Sequence, residues 1–568
     1  WTALPVRGAA SADMKVPTIP SMALFEVVGP ILGILKMVGI NPMKPKQRNL
    51  LQGFTGAARP GEMTLVIGRP GSGCSTFLKT IANKRNGFMG VDGDVHYGGI
   101  SAKEMSKRYR GEVVYSEEDD IHHATLTVGR NVDFALRLKA PAKGVPEKSM
   151  VEFRKLVRDT LLKTFNIEHT KHTLVGSATV RGVSGGERKR VSIIEALCTG
   201  AAVISWDNSS RGLDASTALD YAKSMRILTD MLHSTTFISL YQASEAIWKL
   251  FDKVLVIDEG RCIYYGPRSE AREYFIGLGF EDRPRQTSAD WITGCTDKYE
   301  RIFQDGKNED NVPTTPESLE QAYKSSSICE KEMELKSDFD QQVKNEEKHR
   351  AVEFKLAVRE QKHRATGPKS QYTVSYWSQV YALWLRQMQM ILGDRFDILM
   401  SYTTSITIAL LVGGLFFELP QNTQGLFTRG GVLFILLLFN ALTAFAELPS
   451  QMQGRPILAK QNSFAFYRPS ALTLAQLFAD LPFGLPRSTI FTIIIYFMSG
   501  LARNGGAFFI AYVVINVSYY AFRALFALFG TITTDYNSAA RLAATVIAIL
   551  VLWAGYVIPQ AAMARWVS

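Results

Sequence analysis

The stretch Gly68-Arg69-Pro70-Gly71-Ser72-Gly73-Cys74-Ser75-Thr76 reads as a phosphate-binding loop without its lysine. In the pattern G-x-x-x-x-G-K-[ST], glycines let backbone N–H groups wrap phosphate oxygens, the hydroxyl ligates Mg²⁺ and the lysine neutralises the outer phosphate charges. Here Cys74 takes the lysine's place. A thiol carries no positive charge, so residues 68–76 are expected to cradle ATP, with Ser75 as a Mg²⁺ ligand, and to promote hydrolysis poorly. The surroundings suit the motif. Met63 to Ile67 is a short apolar, β-prone run feeding the glycines, and Thr76 to Ala82 has helix-compatible spacing.

Downstream, Val183-Ser184-Gly185-Gly186-Glu187-Arg188-Lys189-Arg190 opens a helix expected to run to about Cys198. Two glycines and a serine at a helix N-terminus expose unpaired N–H groups and the positive end of a dipole, which suits an anionic phosphate. Ser184 and Glu187 also have the spacing of a capping box, and both readings hold together. The pairing of this motif with the phosphate loop resembles the ABC ATPase family. That resemblance implies two nucleotide domains that sandwich ATP, each phosphate loop facing the other domain's signature, here Ser184, Gly185, Gly186 and Glu187.

The family's other motifs are placed one by one, and most are altered. The strand Ala201 to Asp207 ends in Asp207, where the resemblance implies a Mg²⁺-coordinating aspartate. Asn208 stands in the place of the water-polarising glutamate; an amide holds a water but cannot take its proton. Glu118 occupies the γ-phosphate-sensing glutamine position, and Tyr241 replaces the switch histidine. Four catalytic positions have departed together while the signature is intact. The fungal pleiotropic drug resistance transporters, a full-length subgroup of the ABCG type, resemble this pattern in their first nucleotide domain. Trp206 to Asp214, Leu250 to Val254 and Ile263 to Pro267 are similar to that subgroup, and the resemblance runs from about Leu50 to the end.

At 568 residues the chain exceeds one ordinary domain, and its near-zero mean hydropathy conceals two unlike halves. Apolar runs at 398–417, 426–445, 471–498, 507–528 and 542–558 each approach the ~20 residues a helix needs to cross ~30 Å of hydrocarbon. The expected architecture is an α/β P-loop ABC nucleotide-binding domain followed by an all-α polytopic transmembrane domain. Its expected divisions are an N-terminal segment (1–49), the nucleotide domain (50–300), a charged linker (301–371), an interfacial connecting helix (372–395) and a membrane domain (396–568) of about five spans. The resembled family has six spans per half, so the chain is expected to stop before a sixth.

Orientation follows from loop charge. Arg455, Lys460 and Arg468, after the second span, form the most basic short loop and belong on the cytosolic side. Glu447 to Pro469 resembles the family's coupling helix, resting on the nucleotide domain. Glu447 and Arg523 are ionisable groups in or near apolar spans; they either tie spans together or snorkel at helix ends. Phe434, Phe439 and Phe445 either line an apolar cavity or simply pack.

The formal charge of +11 comes without a basic stripe interleaved with aromatics, which argues against nucleic acid and for inner-leaflet lipid. Tyr376 to Gly393, carrying Trp377, Tyr381, Trp384 and Met388 with Arg386 on its flank, reads as an amphipathic helix at the membrane interface. The crowded charges of 325–370 read as a solvated helix or linker with no site. The five cysteines, Cys74, Cys198, Cys262, Cys295 and Cys329, have neither zinc spacing nor an oxidising setting. His122 and His123 are assigned to a loop rather than a metal.

The chain begins at Trp1. Its stretch Met22 to Ile40, broken by Pro30 and containing Glu26 and Lys36, does not read as a signal peptide. A second phosphate loop and signature are expected from a partner half, in the same polypeptide or, less readily, from another chain. Three functions compete. The first is the degenerate half of an ATP-driven exporter of hydrophobic drugs or lipids in the plasma membrane. The second is a membrane-tethered regulatory nucleotide sensor. The third is a homodimerising half-transporter, which would carry Cys74 and Asn208 in both sites.

Overall fold

The computed structural model describes residues 1–2, 4–9, 47–142, 149–420, 422–423, 425–554 and 556. The stretch Met22 to Ile40 and residues 557–568, where a signal peptide and the end of the fifth span were considered, lie outside the described residues.

Eleven strands are described: β1 (Leu4–Ala9), β2 (Gln47–Phe54), β3 (Met63–Ile67), β4 (Gly90–Val91), β5 (His96–Tyr97), β6 (Ile100–Ser101), β7 (Val113–Ser116), β8 (Val203–Trp206), β9 (Thr235–Ser239), β10 (Lys253–Asp258) and β11 (Arg261–Pro267). All but the β5–β6 hairpin join one sheet of order β4-β1-β2-β11-β10-β3-β9-β8-β7. The block β10-β3-β9-β8-β7 is parallel throughout. Its strands read as continuous apolar runs because helices cover both faces, and every residue of β3 is buried. In such a sheet ligands bind beyond the carboxyl ends of the strands, and the phosphate loop leaves β3 at that edge.

Strand β1 pairs with β2 in antiparallel register. The division expected at residue 49 is therefore corrected: residues 4–9 belong to the same sheet as the nucleotide domain, because β2 needs a partner on its open edge. The expected charged linker contains the short helix Pro316–Lys324 and then the long helix Ser327–Gln361. The first turns of the long helix are not merely solvated. Buried Glu332 receives Lys253 Nζ at 2.8 Å, which fastens the helix to β10.

The connecting helix spans Tyr376–Gly393, with Gln379, Val380, Ala382, Leu383, Arg386 and Gln387 buried. Arg386, expected on a flank, instead points inward, its guanidinium carbon 4.1 Å from the centroid of the Phe134 ring. Stacking on an aromatic face lets this cation leave water.

Five helices are long and apolar enough to cross a membrane: Arg395–Leu415, Gly425–Gln453, Pro469–Met498, Gly505–Ile532 and Tyr536–Trp553. They match the five apolar runs, the fifth being described as far as Trp553. Phe439 stacks on Phe491 at 4.1 Å, Phe434 on Tyr556 at 5.0 Å, and Phe445 meets Phe526 edge-on. All three considered phenylalanines pack within this half.

Candidate functional site

The phosphate loop is shaped by close approach. A Cβ at Gly68 would lie 2.3 Å from Ile257 O and 2.4 Å from Ser72 Oγ, so no side chain fits. Gly73 caps the next helix, Cys74–Ile81, with φ of 111°, a conformation that favours glycine. Arg69 donates to Asp258 Oδ1 at 3.0 Å, and Ser72 O accepts from Gly260 N–H at 2.7 Å, which ties the loop to the end of β10. Pro70 and Gly71 form its exposed tip. The first bond of the helix runs from Phe77 N–H to Gly73 O at 2.9 Å. The N–H groups of Cys74, Ser75 and Thr76 therefore precede the helical ladder at the positive end of the dipole. This run of unpaired N–H groups fits an anion such as the phosphates of ATP.

Cys74 Sγ lies 3.5 Å from Ser72 Oγ. Burial pushes its thiol up to about 11; the Ser72 hydrogen bond opposes this, and the Asp207 charge adds a smaller upward push. Cys74 is thus neutral at pH 7. It supplies neither the lysine's positive charge nor a thiolate.

Asp207 follows β8, buried, accepting from Tyr115 OH at 2.5 Å and Ser239 Oγ at 2.9 Å. Those bonds orient the carboxylate; Asp207 and Ser75 are the residues that would hold a Mg²⁺. Asn208 adopts a positive φ of 42°. Its N–H donates to Ser239 Oγ at 2.9 Å, and its amide nitrogen to Glu118 Oε1 at 2.9 Å. Arg211 donates to the same Glu118 oxygen at 2.6 Å. Glu118 and Asn208 are joined directly, while Asn208 Oδ1 is buried with no protein hydrogen-bond partner among the described residues. Tyr241, beyond β9, is exposed; partial desolvation, then the negative charges of Glu118 and Asp207, hold its hydroxyl above the ordinary value. The four altered positions and Asp207 thus share one edge of the sheet.

The signature opens the helix Gly185–Leu197 through a capping box: Glu187 N–H donates to Ser184 Oγ at 3.3 Å, and Ser184 N–H to Glu187 Oε2 at 2.8 Å. Burial works against the Glu187 carboxylate, but the bonds from Ser184 and His169 win and hold it below its ordinary value. Ser184 and Gly185 are exposed. A Cβ at Gly185 meets nothing within 4 Å, and one at Gly186 meets Leu213 only at 3.4 Å. Neither glycine is demanded by packing within this domain.

The same helix carries a buried polar network toward the membrane. Lys189 Nζ donates to Glu118 O at 2.5 Å, Ser192 Oγ to Asp120 Oδ1 at 2.6 Å, and His122 Nε2 lies 2.7 Å from Ser192 Oγ. Because Ser192 donates to Asp120, its oxygen accepts from His122 Nε2–H, which leaves Nδ1 facing Asn131 and Glu195. Burial, with the charges of Lys460, Arg188 and Lys189 around it, keeps His122 neutral, far below its ordinary value. Lys460, on the helix Arg455–Ser463 after the second span, reaches Glu195 Oε2 at 2.5 Å and Ile121 O at 2.6 Å. Its neighbour Gln461 donates to Glu195 Oε1 at 3.3 Å and accepts from Arg386 and Tyr467, each at 2.8 Å. The segment after the second span therefore rests on the nucleotide domain, as its resemblance implied.

Among the spans, Arg523 Nε lies 3.0 Å from Glu447 Oε2 and also pairs with Asp480. Tyr519 OH donates to Glu447 Oε1 at 2.9 Å, and Arg487 donates to Tyr519 OH at 2.8 Å. Glu447 and Arg523 tie spans to one another. Asp480 and Arg487 were not singled out from the sequence, although the rule that flags ionisable groups in apolar spans applies to them equally. Glu195 and Tyr115 carried no such signal, since each looks ordinary within its own helix or strand.

Residues 51–211 match the family described as ABC transporter, and residues 378–568 the family described as ABC-2 type transporter. The chain is 47% identical over 566 residues to ABC multidrug transporter I of Aspergillus fumigatus, covering 100% of this chain and 38% of that protein. It is 43% identical to ABC multidrug transporter atrF of the same fungus, over 98% of this chain and 36% of that protein. ABC transporter G family member 21 of Dictyostelium discoideum is also 43% identical, over 98% of this chain and 37% of its own length. The chain thus spans little more than a third of the curated relatives it matches.

Proposed function

The chain belongs to the ABC transporters of the G type, with the nucleotide-binding domain first and the membrane domain second, and from this we propose that it is the idle half of an asymmetric ATP-driven exporter. Its own phosphate loop, residues 68–76, holds ATP with Ser75 and Asp207 toward Mg²⁺, and turns it over slowly or not at all. Its signature, Ser184 to Glu187, completes a competent site on a second nucleotide domain, carried in the same full-length polypeptide together with a second membrane half. The nucleotide domain lies in the cytosol, the spans cross the plasma membrane, and hydrophobic or amphipathic compounds are the cargo.

The observation that carries this reading is the contrast between two edges of one domain. At the loop, Cys74 is a neutral thiol and Asn208 cannot accept a proton, while Glu118 is spent on Asn208 and Arg211. At the signature, Ser184 and Gly185 stand exposed on a well-capped helix that packing does not explain. ATP with Mg²⁺ supplies the phosphoanhydride bond and the charge of its phosphates; this chain's residues bind and orient, and none near the loop can remove a water proton efficiently. The buried link through Glu195 and Lys460 gives the signature helix a direct hold on the membrane helices.

The test is the identity of the bound nucleotide. Full-length protein isolated after turnover in Mg²⁺-ATP should retain one unhydrolysed ATP per molecule. Recovery of ADP alone at both sites would contradict the reading.

A further inference from the structure

Where the third span begins, an open cleft of about 780 Å³ is lined by Lys103, Lys107, Arg110, Lys369 and Arg468, together with Tyr372 and Pro469. Pro469 is the first residue of the span itself. No carboxylate lines the cleft, and none of the five cations has an ion-pair partner among the described residues. Lys103 and Lys107 lie one turn apart on the helix Ala102–Arg108, so both project from one face. The acid on that helix, Glu104, is occupied elsewhere by Arg108 and Lys355, each at 3.4 Å. Arg468 is exposed and held over the rings of Tyr372 and Tyr376, 5.5 and 6.0 Å from their centroids. Next to it, the connecting helix exposes Trp377 and Tyr381, the amphipathic residues that settle at the headgroup level of a bilayer.

We propose that this cleft is a binding site for the headgroup of a multiply phosphorylated anionic phospholipid. Five uncompensated cations gathered in one concavity cost self-repulsion that a ligand of several negative charges relieves. A singly charged headgroup would leave most of it in place. The position matches a lipid source: the cleft lies where the nucleotide domain meets the start of a span, which on the orientation proposed above is the cytosolic leaflet. Basic pockets between spans on that side hold phosphoinositide headgroups through such contacts. Because the cleft is walled by the helix Ala102–Arg108 on one side and by Arg468 and Pro469 on the other, an occupant bridges the nucleotide domain and the third span.

The test uses the full-length protein carrying this chain in phosphatidylcholine nanodiscs, with dioctanoyl phosphatidylinositol bisphosphate as the probe. The lipid should bind in a salt-sensitive way. Each charge removed by Lys103→Gln, Lys107→Gln or Arg468→Gln should cost about fivefold in affinity, so that the triple variant is weaker by about a hundredfold. Arg468→Lys should retain binding, and Lys223→Gln, an exposed lysine outside the cleft, should leave it unchanged. Equal binding by the triple variant and the parent would overturn the proposal. So would free inositol trisphosphate binding as tightly as the lipid, which would mark a soluble-phosphate site, or dioctanoyl phosphatidylserine matching the bisphosphate.

Discussion

Lys460 Nζ lies 2.5 Å from Glu195 Oε2, both side chains buried, one on the segment after the second span and the other on the helix that the signature opens. A bare ion pair in such a place would be costly, but this one is surrounded. Lys460 also reaches Ile121 O, and Glu195 is bonded by Gln461. Removing one member strands a buried charge, at a cost of about 3–5 kcal/mol, whereas replacing both with apolar residues is close to neutral.

Lys460→Met should therefore lower thermal stability by that order and separate ATP hydrolysis from transport in the full-length protein. The double variant Lys460→Met with Glu195→Leu should recover stability while leaving transport impaired. Thermal unfolding and substrate-stimulated ATPase assays read the two effects separately. Recovery of transport in the double variant would show that the pair serves stability alone.

Restoring one lost catalytic group should not revive the local site. Asn208→Glu places a carboxylate next to Glu118, 2.9 Å from the present amide nitrogen, without returning the loop's positive charge. Cys74→Lys returns the charge without a base. Phosphate release attributable to this site should stay at background for either substitution, since phosphoryl transfer needs charge neutralisation and water activation together.

His122 and His123 are both held neutral by burial, well below their ordinary value of 6.5. The unfolded chain takes up protons as pH falls through 6.5, and the folded chain does not, so the folded state loses stability over that window. Unfolding midpoints should fall between about pH 7 and pH 5 for this reason, and His122→Gln should flatten the profile. His122 faces Ser192, Asn131 and Glu195, with Lys460, Arg188 and Lys189 close by, so the loosened contact is the one between the nucleotide domain and the membrane helices.

Glu447→Gln keeps the shape of the span cluster but leaves Arg523 with Asp480 as its remaining charged partner. If the cluster relays movement between spans, transport and stimulated ATPase should fall together by several-fold while nucleotide binding is unchanged. Unaltered transport would remove Glu447 from the relay.

Much of this arrangement was legible in the residues themselves. Gly68 to Thr76 announced a strand, a loop and a helix because only glycines permit the backbone approach seen at Gly68 and the positive φ at Gly73. The five spans were visible from length and apolarity, and the Ser184–Glu187 box from its spacing. Long-range partners were not legible. Glu195 and Lys460 are 265 residues apart in the chain, and nothing local marks a buried ion pair. Arg386 looked like a flank residue because a sequence window cannot reveal the Phe134 ring on which it stacks. Strand β1 was read outside the nucleotide domain because sheet pairing across residues 10–46 leaves no periodic trace in either segment.

The division of labour between the two edges of this domain is tested most directly by comparing Gly185→Asp with Cys74→Ala in the ATPase activity of the full-length protein. A side chain at Gly185 has open space within this chain, so the fold tolerates it, and Cys74 is a neutral thiol with no charge to lose. The account predicts that Gly185→Asp lowers turnover by orders of magnitude, as loss of a phosphate-binding edge does, and that Cys74→Ala changes it little. Near-normal activity with Gly185→Asp, or loss of activity with Cys74→Ala, would contradict it.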